Sequence, residues 1–478
     1  MANIITELSR FIIIILMAVY TFSCFSVFAK TYESEKKSIL FRQNIYMFLI
    51  HGIAYFVMVI RTHDKQLFVF YCFQVVFFIA VILLYKFIYP KASRLIVNNM
   101  CMLLSVGFIM ITRLSYKKGV KQFIFASVAM VVCLFVPVII RKLKKLTEWT
   151  YIYAGVGLAL LVLVAVLASV QEGAKLGFTI PGLGISVQPS EFVKIIFVFF
   201  VAASLSTATN FKNIVITTCI AAAHVLILVL STDLGAALIL FIVYLIMLYV
   251  ATSNILYAGA GIGAGVFASL IGYKLFAHIK VRVAAWKDPF AAYNEGGYQV
   301  AQSLFAIGTG GWFGMGLYQG LPDSIPVAEE DFIFSAISEE LGLIFALCLI
   351  LVCLSCYVMF LNIAMALRNQ FYKLVALGLG TCYIFQVFLT IGGVTKFIPS
   401  TGVTLPLVSY GGSSILSSLI MFGIIQGLYI LREDEEKNIE KRRRHNVQRS
   451  QAGDTQKRRQ SRKKEQEAFK EIPQQRIR

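Results

Sequence analysis

The sequence predicts an all-α polytopic membrane protein, and three observations carry that fold class. Hydrophobic residues fill 58% of the 478 positions and charged residues only 14%, where ordinary soluble domains carry about 25% charge. Mean hydropathy is +0.76. Apolar runs of about twenty residues, enough helix to cross about 30 Å of hydrocarbon, recur along the whole chain. A water-soluble globule of this length is excluded, and helices are expected because lipid satisfies no open strand edge.

In chain order the candidate spans are Phe11–Ala29, Asn44–Ile60, Leu67–Ile88, Leu95–Ile111, Phe123–Ile140 and Tyr151–Ala168. After a polar interval come Phe192–Leu205, Ile214–Leu230, Leu234–Val250, Ile255–Phe276, Leu341–Phe360, Leu374–Ile391 and Ile415–Leu431, which makes about thirteen. The first run is a span and not a signal peptide, because no small-residue cleavage site and secreted domain follow it. Nine cysteines are scattered, mostly in apolar runs and without a His or charged partner nearby. They read as small helix-packing residues, with no disulfide framework and no metal site.

Charge sets the orientation. The tail from Arg432 carries 16 Lys/Arg and nine Asp/Glu, which places it in the cytoplasm as a disordered basic segment near anionic lipid. No nucleic-acid partner is called for. An odd span count then puts the N-terminus outside, the basic loops Lys30–Arg42, Lys86–Arg94 and Arg141–Lys145 inside, and the long loop at about 277–340 outside. Arg113, Lys117, Lys118 and Lys121 break the pattern, because the same count puts them outside.

Of 25 acidic residues, eight fall between His278 and Gly342: Asp288, Glu295, Asp323, Glu329, Glu330, Asp331, Glu339 and Glu340. Lys280, Arg282 and Lys287 lie just ahead of most of them. A loop that gathers carboxylates beside cations at a membrane surface is the place to look for chemistry. Asp331 is expected to cap the helix that follows, and Glu339 and Glu340 to form a solvated helix entrance or a functional pair.

Two further groups stand at span ends. Asp233 opens a span, either as a complement to the helix dipole or as a functional carboxylate. In Gln188-Pro-Ser-Glu191, Pro189 or Ser190 starts a helix, and Glu191 and Lys194 are spaced to pair. Gly308-Thr-Gly-Gly-Trp-Phe-Gly-Met-Gly316 has no preceding strand and no βαβ unit, so it is no dinucleotide site; its glycines let backbone pack closely or present amides to a phosphate. Phe397–Ser414, with two prolines and three glycines between spans, is irregular backbone that membrane depth tolerates only inside protein or along a cavity.

These pieces, in this order, resemble the SEDS family (shape, elongation, division and sporulation) of polytopic peptidoglycan glycosyltransferases. The matching motifs are Gln188-Pro-Ser-Glu191, Asp233-Leu-Gly235, Asp288-Pro289, Gly297-Tyr-Gln299 with Gln302-Ser303, Asp331-Phe-Ile-Phe334, Glu339-Glu-Leu-Gly342 and Pro406-Leu-Val-Ser-Tyr-Gly-Gly-Ser-Ser414. The resemblance covers roughly residues 95–431, the family's ten-span core. It leaves three extra N-terminal spans in 1–94 and the basic tail 432–478.

The resemblance implies polymerisation of lipid II on the outer face of the bacterial plasma membrane, with release of undecaprenyl pyrophosphate. A class B penicillin-binding protein is the implied transpeptidase partner. Inversion at the sugar carbon calls for a carboxylate base opposite the leaving group. The family's second loop aspartate, four residues after the position of Asp288, is Ala292 here, so the base lies with Asp288 or Glu295. The family's Trp ahead of Gln-Pro-Ser-Glu is replaced by Gly177 and Phe178. Lys280, Arg282 and Lys287 are the nearest cations for pyrophosphate. Glu191, Lys194, Asp233, Gln299, Ser303, Asp331, Glu339, Ser409 and Ser413 complete the candidate substrate-binding set. The resemblance implies no particular cofactor and leaves a divalent cation at the pyrophosphate open. The rival readings are a lipid II flippase and a non-catalytic structural member of a division or elongation complex.

Overall fold

Every apolar run becomes a helix. The computed structural model describes residues 2–143, 145–167, 169–171, 174–180 and 185–470; the side chains of Glu295, of the strand region before Val187 except Gly177, and of much of the tail lie outside the description. The helices run α1 (Ala2–Ala29), α2 (Glu33–Thr62), α3 (Lys65–Ile88), α4 (Arg94–Leu114), α5 (Tyr116–Lys142) and α6 (Thr150–Leu167). Then follow α7 (Pro189–Thr207), α8 (Phe211–Leu230), α9 (Leu234–Thr252), α10 (Ile255–Leu275), α11 (Ala277–Lys287), α12 (Tyr298–Gly310), α13 (Ile333–Ala366), α14 (Gln370–Val394) and α15 (Gly412–Lys470). Among the described residues, twelve helices are long and apolar enough to cross a membrane. The thirteenth expected span is α6, whose described apolar part is Thr150–Val166.

The polar interval before α7 holds an element the sequence did not suggest. Three short strands, β1 (Ser169–Gln171), β2 (Ala174–Ile180) and β3 (Ile185–Val187), pair antiparallel in that order. A Cβ on Gly177 would stand 2.3 Å from the Val187 carbonyl oxygen, so the ribbon closes only with glycine there, and no Trp fits on that backbone atom.

Helix α4 is the axis of the bundle and is buried along almost its whole length. A helix buried all round must satisfy its polar groups on its neighbours. Asn98 Nδ2 donates to the Leu40 carbonyl (2.9 Å) and to Gln43 (3.0 Å). Asn99 accepts from Tyr20 Oη (3.0 Å) and donates to Ser355 Oγ (2.7 Å). Ser105 meets His51 at 2.8 Å and Thr112 meets Tyr55 at 3.1 Å. Interhelical bonds of this kind contribute about 0.6–2 kcal/mol each in a membrane; together they fasten α1 and α2 to the core. By contrast α10 is almost wholly exposed, with Gly272 its one buried residue.

Helix α13 is two helices joined at Gly342, whose φ of 88° no ordinary residue adopts readily. All nine cysteines are free and seven are buried. The chain divides into two compact units, Met1–Tyr429 and Ile430–Arg478. The second continues as helix to Lys470, where the sequence suggested disorder; its Glu, Lys, Arg and Gln are good helix formers by local propensity.

Candidate active site

Pro189 sits at the first helical position of α7, where its missing N–H costs nothing, and so delivers Glu191 into the first turn. Glu191 Oε1 lies 2.9 Å from Lys194 Nζ, as the spacing predicts, and both side chains are buried. The pair does not stand alone. Ser417 Oγ of α15 donates to Glu191 Oε2 (2.8 Å), and Lys194 donates to Gln386 Oε1 of α14 (2.8 Å). Gln386 Nε2 in turn holds the Thr404 carbonyl (3.0 Å). Gln386 and Ser417 were missed from sequence; a lone glutamine inside the apolar run Leu374–Ile391 was the available signal.

Phe397–Ser414 forms an irregular wall over this pair, exposed at Phe397 and Gly402 and buried in protein from Leu405 to Ser409. Thr390 Oγ1 donates to the Val403 carbonyl (2.8 Å), Thr404 Oγ1 meets Ser414 Oγ (2.7 Å), and Gln122 Nε2 reaches the Ser409 carbonyl (2.9 Å). Ser409 Oγ accepts from Leu405 N (2.9 Å), and Ser413 Oγ accepts from Gln188 N (3.0 Å). Both serines therefore shape the wall. Ser303 is buried and spent on packing, meeting Ser335 Oγ (2.6 Å) and the Val394 carbonyl (2.8 Å). Gln299 is half-buried on α12.

Asp233, Arg282 and Asp331 converge beside the same wall. Asp233 caps α9, its Oδ1 accepting from Ala236 N at 3.0 Å, while its Oδ2 is buried without a hydrogen-bond partner. Burial pushes its carboxyl above the usual range, against the Ala236 N–H, Ser190 and Lys194, which pull it down. Arg282 donates to the Ser400 carbonyl (3.0 Å). Burial lowers its guanidinium, opposed by the charges of Asp331 and Asp233. A Cβ on Gly402 would lie 3.9 Å from Asp331 Oδ2 and 4.0 Å from Arg282 Nη2. The expectation that Asp331 caps the next helix fails: Phe332 is the cap residue and supplies no side-chain bond. Asp331 lies within the field of the Arg282 charge instead.

Asp288 ends α11 in an exposed turn and its Oδ1 accepts from Phe290 N and Ala291 N, both at 3.0 Å. The carboxylate is thus oriented by backbone. Ala292 is buried beneath this turn, and a Cβ on Gly297 would meet the Pro289 carbonyl at 2.3 Å. Glu295 closes a short 3-10 turn, Tyr293–Glu295; its side chain lies outside the described residues. The three loop cations do not act as one cluster. Lys280 and Lys287, seven residues apart, share an exposed face of α11, and Arg282 turns inward from the other side.

The remaining loop acids mostly hold the loop in place. Glu339 and Glu340 are no solvated entrance: both are buried. Glu340 Oε1 accepts from Arg113 Nε (2.9 Å) and Tyr318 N (3.1 Å), and Glu339 Oε1 accepts from Leu321 N (2.8 Å). Arg113 also reaches Asp323 at 3.4 Å and lies over the Tyr318 ring. Lys118 pairs with Glu329. This accounts for the basic turn that broke the charge pattern, since Arg113 and Lys118 stand on the long loop's side as partners of its carboxylates. The glycine-rich stretch packs backbone on backbone, as expected, with Met315 N and Gly316 N each donating at 2.8 Å to the Glu339 and Glu340 carbonyls. Among the described residues no group of three or more His, Cys, Asp or Glu gathers to hold a metal ion.

Comparison with known proteins bears on the family and the fold. The family model described as "Cell cycle protein", for FtsW, RodA and SpoVE, matches residues 93–433. The chain is 35% identical over 363 residues to the peptidoglycan glycosyltransferase RodA of Mycobacterium leprae, covering 70% of this chain and 77% of that protein. It is 30% identical over 355 residues to a probable peptidoglycan glycosyltransferase FtsW of Francisella salina (69% and 87%) and 31% identical over 322 residues to the stage V sporulation protein E of Bacillus subtilis (64% and 85%). In fold it resembles a chain of a peptidoglycan synthase complex solved for its coordination of polymerization and crosslinking (TM-score 0.61, 23% identity, 71% of this chain and 98% of that one). It also resembles the Rod shape determining protein RodA of Thermus thermophilus (TM-score 0.53, 21% identity, 72% and 98%). This membrane protein therefore belongs to the FtsW, RodA and SpoVE family of cell cycle proteins, the SEDS family its motifs resemble.

Proposed function

We propose that this protein is a peptidoglycan glycosyltransferase that polymerises lipid II into glycan strands for the bacterial cell wall. The observation that carries the reading is the relationship itself: 35% identity across 363 residues with a RodA named for that activity. The geometry supplies parts for the reaction. Asp288, exposed and fixed through Oδ1 by two backbone N–H groups, keeps Oδ2 to take the proton from the acceptor sugar hydroxyl. The hydroxyl oxygen then bonds to the donor sugar's anomeric carbon, the bond to pyrophosphate breaks on the opposite face, and undecaprenyl pyrophosphate leaves with the electron pair.

Lys280 and Lys287 on the exposed face of α11 meet the departing pyrophosphate from the loop side, and Arg282 with Asp233 and Asp331 line the inner side of the same helix. In this reading the long loop lies outside the cell and the basic tail inside. A class B penicillin-binding protein crosslinks the emerging strand.

The test is polymerisation of lipid II by the full chain in lipid nanodiscs together with its transpeptidase. Wild type is expected to make polymer and Asp288→Asn to make none. Loss in Glu295→Gln alone moves the base to Glu295. A wild type that makes no polymer, or that only translocates lipid II across vesicles, overturns the proposal.

A further inference from the structure

The family match begins at residue 93, yet α1 reaches over to the long loop. Arg10 Nη1 donates to the Gly314 carbonyl at 2.7 Å, held in place by Glu7 at 2.6 Å. Phe11 packs on Phe313 with ring centroids 5.6 Å apart. A Cβ on Gly316 would meet Thr6 Cγ2 at 3.1 Å, and Thr6 Oγ1 accepts from Arg61 Nε of α2 at 2.9 Å. Three side chains of α1, Thr6, Arg10 and Phe11, thus converge on one turn, Trp312–Gly316, with Glu7 and Arg61 behind them.

That turn packs directly against the segment that leads to the candidate active site. A Cβ on Gly314 would meet the Glu340 carbonyl at 2.4 Å and Gly342 N at 2.6 Å, and one on Gly310 the Ser338 carbonyl at 2.1 Å. Ser303 ties α12 to Ser335. Helix α12, the glycine turn and the first half of α13 are therefore packed together backbone on backbone. Asp331 stands at one end of this packing, beside Arg282, and Arg10 holds the other.

We infer that the extra N-terminal helices are a built-in brace for the catalytic loop, with Arg10 a positioning residue that sets where Asp331 meets Arg282. The inference rests on the polymerase reading, and the experiment separates the two. Arg10→Ala removes the donor to Gly314 without touching a group that meets substrate. In nanodiscs with lipid II its kcat is expected to fall about tenfold with KM within twofold. Amide exchange should rise in 310–321 and 331–341 and stay unchanged in α7, α9 and α14. Arg10→Lys should recover part of kcat. Phe11→Ala, at a position 40% exposed, gives a milder variant that folds, with kcat expected to fall two- to threefold and exchange to rise in the same segments. Active wild type with both Arg10→Ala and Phe11→Ala at full kcat overturns the brace. So does exchange that rises throughout the bundle, which marks general loss of stability. Inactive wild type overturns the polymerase reading instead.

Discussion

The buried pair Glu191–Lys194 and the acidic loop 278–342 use charge in opposite ways. The pair sits inside a span, shielded by α14 and α15, with its polar atoms held by Ser417, Gln386 and through Gln386 the Thr404 carbonyl. The loop carries eight acids, yet Asp323, Glu329 and Glu340 go to Arg113 and Lys118, and Glu339 to a backbone N–H. Density of charge therefore marks where a loop is fastened; Asp288, the base in the proposed reaction, instead pairs with no cation among the described residues and is aimed by two amides. The largest effect expected follows from that difference. Asp288→Ala should lower polymerisation by about 10²- to 10⁴-fold, the worth of a positioned general base, with the thermal midpoint unchanged. A comparable loss of activity from Glu329→Gln would break the distinction.

In the buried region the cost is to the fold. Glu191→Ala leaves Lys194 charged and shielded, which destabilises by about 3–5 kcal/mol, whereas replacing both, Glu191→Gln with Lys194→Met, is expected to recover most of it. A double-mutant cycle on detergent unfolding reads the coupling. Additive single and double losses would show that the two side chains act apart. On the loop side Lys118→Ala should cost about 1 kcal/mol or less, because its side chain is 38% exposed and solvent screens the pair. Its signature is salt dependence: wild type and variant should converge as ionic strength rises.

The spans were legible because apolar runs of helical length have few other readings, and α7 starting at Pro189 with Glu191 facing Lys194 followed from local spacing. What the sequence hid is contact over distance. Arg113 and Glu340 stand 227 positions apart and Lys118 and Glu329 211, so the basic turn looked like an exception to orientation when it was the loop's anchor. Asp331 looked like a cap because propensity is local, whereas in the fold it stands near Arg282, 49 positions earlier in the chain. Glu339 and Glu340 looked solvated because the break at Gly342, which tucks them under the glycine turn, depends on close backbone approach by Gly314. Gln386 was visible as an isolated amide in an apolar run, and its partner Lys194, 192 positions earlier, was not.

The smallest effect concerns Asp233, which belongs to neither pattern: buried like Glu191, but with Oδ2 unpartnered and no cation within its own helix turn. Burial raises its carboxyl in the folded state, so between the unfolded and folded values the native protein binds more protons than the unfolded chain. Stability must then fall as pH rises through that window and be relieved as pH drops. Asp233→Asn, which keeps an oxygen to accept from Ala236 N, should flatten this slope and lie level with or slightly above wild type at pH 7. Thermal unfolding in nanodiscs from pH 4.5 to 7.5 measures it. An unchanged slope in the variant would mean that Arg282 and Lys194 already compensate the buried charge, and Asp233 would then join the paired acids rather than stand apart from them.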